Sequence, residues 1–163
     1  MANHIEQKFL DQQGYPKEEK RVIRFNSLQF QPTIVGSAML VAVLFQSPTV
    51  FLVFSSLLWI NVLFPSANLF ENFYNLVIAS RRNRPKIPPA PGPRRFAQGM
   101  AAVLMLLAGI GLLQSWMLPA YVLEAFILVA FGALLFGKFC IGAYVYHLLR
   151  GNTSFANATC PWS

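Results

Sequence analysis

Cys140, Tyr144 and His147 stand at positions i, i+4 and i+7 of the stretch FGKFCIGAYVYHLL, Phe136–Leu149. On a continuous helix that spacing lines one face, so a thiol, a phenol and an imidazole would point the same way. Such a set could serve as a thiol site or supply ligands to a cofactor. Two features weigh against metal or redox chemistry. Cys140 and His147 lie about 10 Å apart along a helix axis at 1.5 Å per residue, too far for one ion without ligands from other helices. Cys140 also lacks a CxxC partner to lower its pKa or resolve a mixed disulfide. The expectation is a candidate ligand or thiol face, with no metal, at the wet end of an apolar helix.

Three further positions carry charge where charge is costly. Glu124 falls a few residues into a strongly apolar run, with no basic residue near it in sequence. A carboxylate there must be protonated, hydrogen-bonded or at headgroup level, and Gln114 and Ser115 are the near polar groups. It is the candidate intramembrane acid. Arg24 and Arg95 each precede a phenylalanine and an apolar run, and Lys138 sits near the end of the last run. These three are candidate lipid or anion anchors.

The elements that position these residues follow from the segregation of charge. The chain has 163 residues, 55% hydrophobic and 12% charged, with mean hydropathy +0.48. That is too apolar for an ordinary soluble domain of this size. Between Phe25 and Ser80 the only charge is Glu71, and between Phe96 and Leu149 the only charges are Glu124 and Lys138. The net charge of +7 is concentrated before the first run and in the stretch Arg81–Arg95. Basic segments flanking apolar runs set topology and meet anionic headgroups, so the charge is not a nucleic-acid signal. The polar start, with five basic and four acidic residues before Asn26, is not a signal peptide. Two cysteines are too few for a disulfide scaffold.

Each apolar run breaks in the middle, at Ser47-Pro48 and at Ser115-Trp116. Proline disfavours helix at the residue before it. Four spans result, at about 30–46, 49–64, 96–114 and 120–137, the last continuing as helix to His147. The segment after Pro65 has Asn68 and Glu71 at capping-box spacing and an apolar face, as in an interfacial helix. RRNRPKIPPAPGPRR, with five prolines in eleven residues, favours an extended, stiff spacer. Both breaks lack Lys and Arg, which places both termini and the spacer in the cytoplasm. The units are thus a cytoplasmic N-terminal segment with a short helix (1–27), helices 1–2 and the interfacial helix (28–80), the linker (81–95), helices 3–4 (96–150) and a cytoplasmic tail (151–163).

The halves resemble each other. Arg24-Phe25 and Arg95-Phe96 are 71 residues apart, and Phe64 and Phe136, like Tyr74 and Tyr146, are 72 apart. Even spacing at both ends suggests two parallel two-helix repeats. The paired Arg-Phe entries, RFAQG (Arg95–Gly99) and FCIGAYVY (Phe139–Tyr146) resemble the bacterial family called domain of unknown function 4395, over residues 20–150. Its first entry reads Arg-Phe-Asn-Gln, where this chain has Ser27 in place of glutamine. Its last helix carries Cys-x-Gly-Cys. Cys140 and Gly142 match, and Ala143 takes the second cysteine position. The family's gene neighbours imply a link to thiols or sulfur, which the absent cysteine weakens here.

The fold expected is therefore all-α and integral to a membrane, bacterial inner or intracytoplasmic. No nucleotide loop, metal cluster or nucleophile–base pair is present in the sequence, so no catalytic residues are assigned. The function expected is a non-enzymatic accessory subunit or binding module. It would contact anionic lipid headgroups and other membrane subunits or further copies of itself, and not nucleic acid. A small oligomeric transporter for an anion or sulfur species, and a thiol-redox membrane protein, are the alternatives. No cofactor is required, and a lipid or pigment would sit at a subunit surface.

Overall fold

A computed structural model describes residues 4–23, 25–81 and 85–160, and every element among them is helical. Four apolar helices form the body: α4 (Phe30–Leu44), α5 (Pro48–Leu63), α7 (Gly92–Leu113) and α8 (Met117–Leu135). They coincide with the four apolar segments of the sequence. Only α7 and α8 are long and apolar enough, each taken alone, to cross a membrane. The helix α3 (Phe25–Leu28) runs into α4 through Gln29, which is itself in helical conformation.

Both hairpins close in the same way. Gln46 and Ser115 take positive φ of 46° and 58°. The next residue's amide then reaches back to the preceding helix, Ser47 N to Ala42 O and Trp116 N to Gly111 O, at 2.9 and 2.8 Å. This is the Schellman arrangement, which satisfies carbonyls that a helix end would orphan. Pro48 then starts α5 at a position where its missing N–H costs nothing.

The helix α7 is the hub, packing on α5, on α8 and on α9 (Ile141–Leu149). Small residues allow these approaches. Gly109 lies against Phe51 and Leu52, and Gly142 lies so close to Ala97 that a Cβ would fall 2.6 Å from its Cα and Cβ. One apolar core fills the bundle around Met39, Phe51, Met105 and Ile127. A second lies at one end, where α1 (His4–Gln12) brings Phe9 and Leu10 against Leu28, Tyr74, Cys140 and Ala143. The N-terminal segment is thus folded into the body, with α2 (Lys17–Val22) following it.

Three sequence expectations are corrected. The last apolar helix does not continue to His147. It stops at Leu135, Lys138 adopts φ 51°, and α9 begins at Ile141. Phe139 N caps Ala133 O at 3.1 Å across this break, so Cys140 precedes a new helix instead of lying mid-helix. Second, the linker is docked over its described part. Ile87 and Ala90 are buried, and Asn75 holds the Ile87 peptide from both sides, at 2.8 and 3.0 Å. Third, α7 starts at Gly92 instead of Phe96, because Pro93 is tolerated in the first turn, and this draws Arg94 and Arg95 into the helix. The segment after Pro65 is helical as expected: α6 (Leu69–Phe73) is capped by the Asn68 side chain and continues in wider turns over Tyr74–Ala79. The C-terminal stretch carries α10 (Thr153–Ala158), packed on α9.

Because backbone and side chain of Ala97 both block a Cβ at position 142, Gly142→Ala must push α9 away from α7. We expect it to cost about 1–3 kcal/mol, read as a lower denaturant midpoint in detergent. An unchanged midpoint would show that this contact does not set the α7–α9 spacing.

Candidate binding site

Several buried polar side chains, Gln12, Gln13, Tyr15, Glu71 and Arg94 among them, converge at the end closed by α1. Arg94, in the first turn of α7, is 6% exposed. Its Nη2 lies 3.1 Å from Glu71 Oε1, and its Nη1 donates to the Tyr15 hydroxyl at 3.0 Å. Glu71 is placed by the Asn68 cap, whose Oδ1 accepts from Phe70 N and Glu71 N. The spacing that suggested a capping box thus serves the backbone from Asn68, while the Glu71 carboxylate turns inward to Arg94. Burial pushes the Glu71 carboxyl above its ordinary value against the opposing pull of Arg94. Burial likewise raises the Tyr15 phenol, opposed by Arg94, so Tyr15 stays an O–H and accepts from the guanidinium.

One turn further along α7, Gln98 Nε2 donates to Gln31 Oε1 at 3.0 Å. Opposite them stands Cys140, buried at the N-cap of α9. Its backbone N–H donates to Gln12 Oε1, and His147 Nε2 donates to the Gln12 carbonyl, each at 3.0 Å. A carbonyl can only accept, so this contact requires a hydrogen on His147 Nε2. Burial pushes the Cys140 thiol up from its ordinary 9.0, against weaker opposite pulls from the Ala143 amide, the Gln13 side chain, Arg94 and the Gly142 amide. A cavity of about 100 Å³ lies between these groups, with Gln13, Gln31, Arg94, Gln98 and Cys140 as its polar lining.

The residues singled out in the sequence fall in three places. Cys140 and His147 do come together, through Gln12 of the N-terminal segment. Tyr144 points elsewhere and donates to Asn157 Oδ1 at 3.0 Å. Glu124 is buried at the far end of the bundle, where its Oε2 accepts from Gln46 Nε2 at 3.1 Å. The partner is the turn of the other hairpin, not Gln114 or Ser115. Arg95 donates through Nε and Nη2 to Val62 O, at 3.2 and 2.7 Å, tying α7 to the end of α5. Lys138 pairs with Glu6 at 3.0 Å and covers the Phe25 ring. Arg24 lies outside the described residues. No group of three His, Cys, Asp or Glu placed to hold a metal occurs among the described residues.

Gln12, Gln13, Tyr15 and Arg94 were missed in the sequence reading because each stood in a segment whose composition signalled solvent. The usable signal was Glu71, the single acid in 56 residues of apolar chain from Phe25 to Ser80, which required a cation.

Two outcomes follow from this geometry. Removing one partner of a buried ion pair leaves the other charge stranded, so Glu71→Gln should cost about 3–5 kcal/mol, whereas Glu71→Leu with Arg94→Met should cost far less. Unfolding in detergent checks this, and a Glu71→Gln midpoint equal to wild type would contradict it. With its thiol pKa raised, Cys140 in a Cys160→Ser background should alkylate slowly at neutral pH. The thiolate is the reactive form, so its rate should still be climbing above pH 9. A plateau reached below that pH would show a depressed pKa instead.

The family model for the domain of unknown function 4395 matches residues 23–150. Among curated proteins and solved structures, none matches. The match runs from Ile23 to Arg150 and takes in α3 to α9, with Arg94, Glu71 and Cys140, but not Gln12, Gln13 or Tyr15. The chain belongs to the domain of unknown function 4395 family.

Proposed function

We propose that the protein is a small multi-pass bacterial membrane protein that works by binding, as a module or accessory subunit of a larger membrane assembly. The observation that carries this reading is an inverted distribution of polarity. Leu40, Leu44, Val53, Leu118, Phe126 and Val129 are exposed on the body. Gln31, Ser55, Asn61, Glu71, Arg94, Gln98 and Glu124 are buried inside it. Water would reverse that pattern, and hydrocarbon favours it.

Four crossings are consistent with the lengths. Taken with α3 and Gln29, α4 forms a near-continuous helical segment of 20 residues, Phe25 to Leu44, about 30 Å long at 1.5 Å per residue. That equals the hydrocarbon thickness of about 30 Å. α5 is shorter, at 16 residues, and is extended by a 3-10 turn at Pro65–Ala67. The two parallel repeats are supported by the matching hairpin closures. They are also supported by the N-caps Asn68 and Cys140, which stand 72 residues apart. The basic linker and both termini lie on the cytoplasmic side, so the polar site opens toward the cytoplasm. Binding is favoured over thiol chemistry because burial raises the Cys140 thiol.

The test is membrane extraction and protease accessibility of a C-terminally tagged protein in intact cells. The protein should stay in the membrane pellet at alkaline pH, and the tag should be cut only after the cells are opened. Release into the alkaline supernatant would overturn the membrane reading, and cleavage from outside would overturn the orientation.

A further inference from the structure

The cavity beside Cys140 is asymmetric in chemistry. One pole gathers hydrogen-bond donors: the Gln13 amide, the Arg94 guanidinium and the Gly142 amide of the first turn of α9. The rest of the wall is apolar, with Leu28, Val35, Phe131 and Leu134. Two lining atoms lack a close hydrogen-bond partner, though Gln98 itself donates to Gln31 through Nε2. Gln13 Nε2 and Gln98 Oε1 make no hydrogen bond, although Gln13 is only 3% exposed and Gln98 only 8%. A buried amide with an unmet donor is costly in a packed interior, and a ligand atom in the cavity would meet it. The cavity of about 100 Å³ has room for roughly seven to ten water-sized groups, at about 10–15 Å³ each, enough for a small organic ligand.

We propose that this cavity binds a short-chain monocarboxylate, its carboxylate on Gln13, Arg94 and the Gly142 amide and its apolar tail against Phe131 and Leu134. Gln13 lies in the N-terminal segment outside the family match, so that segment completes the site. Arg94 already faces Glu71, so an arriving anion competes for the same guanidinium. The groups facing Glu71 are Arg94 from α7 and, beyond it, the Tyr15 hydroxyl, while Cys140 from α9 faces Arg94. The ionised pair plus a carboxylate would leave one negative charge unbalanced. Uptake of one proton by Glu71 restores the balance, and binding is therefore tighter at lower pH. This inference rests on the reading of the protein as a binding module but not on its membrane placement.

Methyl methanethiosulfonate, a small neutral reagent, reports on the cavity through Cys140 in Cys160→Ser protein in mild detergent. Butyrate should slow Cys140 modification saturably, butyramide only at concentrations about 10-fold higher or more, as expected when a charge-assisted hydrogen bond is lost, and chloride likewise because it has no apolar tail to bury. Gln13→Leu should raise the butyrate half-saturation by a similar factor, and lowering the pH from about 8 to about 6 should reduce it. If Gln13→Leu fails to fold, Ala101→Leu, which fills the apolar wall, should abolish protection. Equal protection by butyramide would overturn the carboxylate assignment. No saturable protection, or protection untouched by either variant, would overturn the site. Release of the protein by alkali would sink the membrane reading while leaving this result intact.

Discussion

The ion pair between Arg94 and Glu71 is the constraint on which the polar end of the molecule depends. Two charges buried at 3.1 Å survive out of water only if both are held and their remaining valences met. Holding the pair in place recruits most of the fold. Asn68 caps α6 so that Glu71 turns inward, Pro93 lets α7 begin early enough to carry Arg94, and the N-terminal segment delivers Tyr15 as the second acceptor. Once Tyr15 is docked, Gln12 and Gln13 lie against Cys140 and His147. The pair therefore does less for net stability than for arrangement. An apolar replacement could be as stable, but it would have no reason to bring α1, α6, α7 and α9 to one point.

Much of the body was legible in the sequence because hydrocarbon-compatible helices announce themselves by composition. The breaks at Ser47-Pro48 and Ser115-Trp116 fall where α4 and α7 end, and Asn68 caps its helix as its spacing suggested. The site was far less legible, for two reasons. The break at Phe136–Cys140 rests on a positive φ at Lys138, a lysine in a run that reads as uninterrupted helix. With that break unseen, Cys140, Tyr144 and His147 looked like one face, whereas two meet Gln12 and one meets Asn157. The other reason is that polar, charged composition was equated with a solvated tail and a free spacer. The segment His4–Tyr15 is polar on average and the stretch from Pro85 to Pro91 is mostly proline, yet each buries particular residues, Phe9, Leu10, Gln12 and Tyr15 in one and Ile87 and Ala90 in the other. Average composition cannot report such placement.

Cys140 illustrates how position changes chemistry. A thiol at the N-cap of a helix near a guanidinium is placed for a lowered pKa, but burial raises it and prevails here. Of the donors that would steady a thiolate, Gln13, Arg94 and the Gly142 amide are left to serve an anion in the adjoining cavity. Ala143, buried where the family pattern has its second cysteine, offers the thiol its amide and no sulfur. The second end of the bundle has a simpler logic, since Glu124 is met by the Gln46 side chain from the opposite hairpin turn.

The central claim is that the N-terminal segment is a structural wall of the site, held through Tyr15, Arg94 and Glu71. Amide hydrogen exchange on the protein in lipid nanodiscs tests it most directly. The account predicts slow exchange across His4–Gln12 and at the Cys140 amide, lost together in Glu71→Gln while the interiors of α7 and α8 stay protected. Exchange of His4–Gln12 at the rate of an unstructured chain in the wild-type protein, with the bundle still protected, would contradict it.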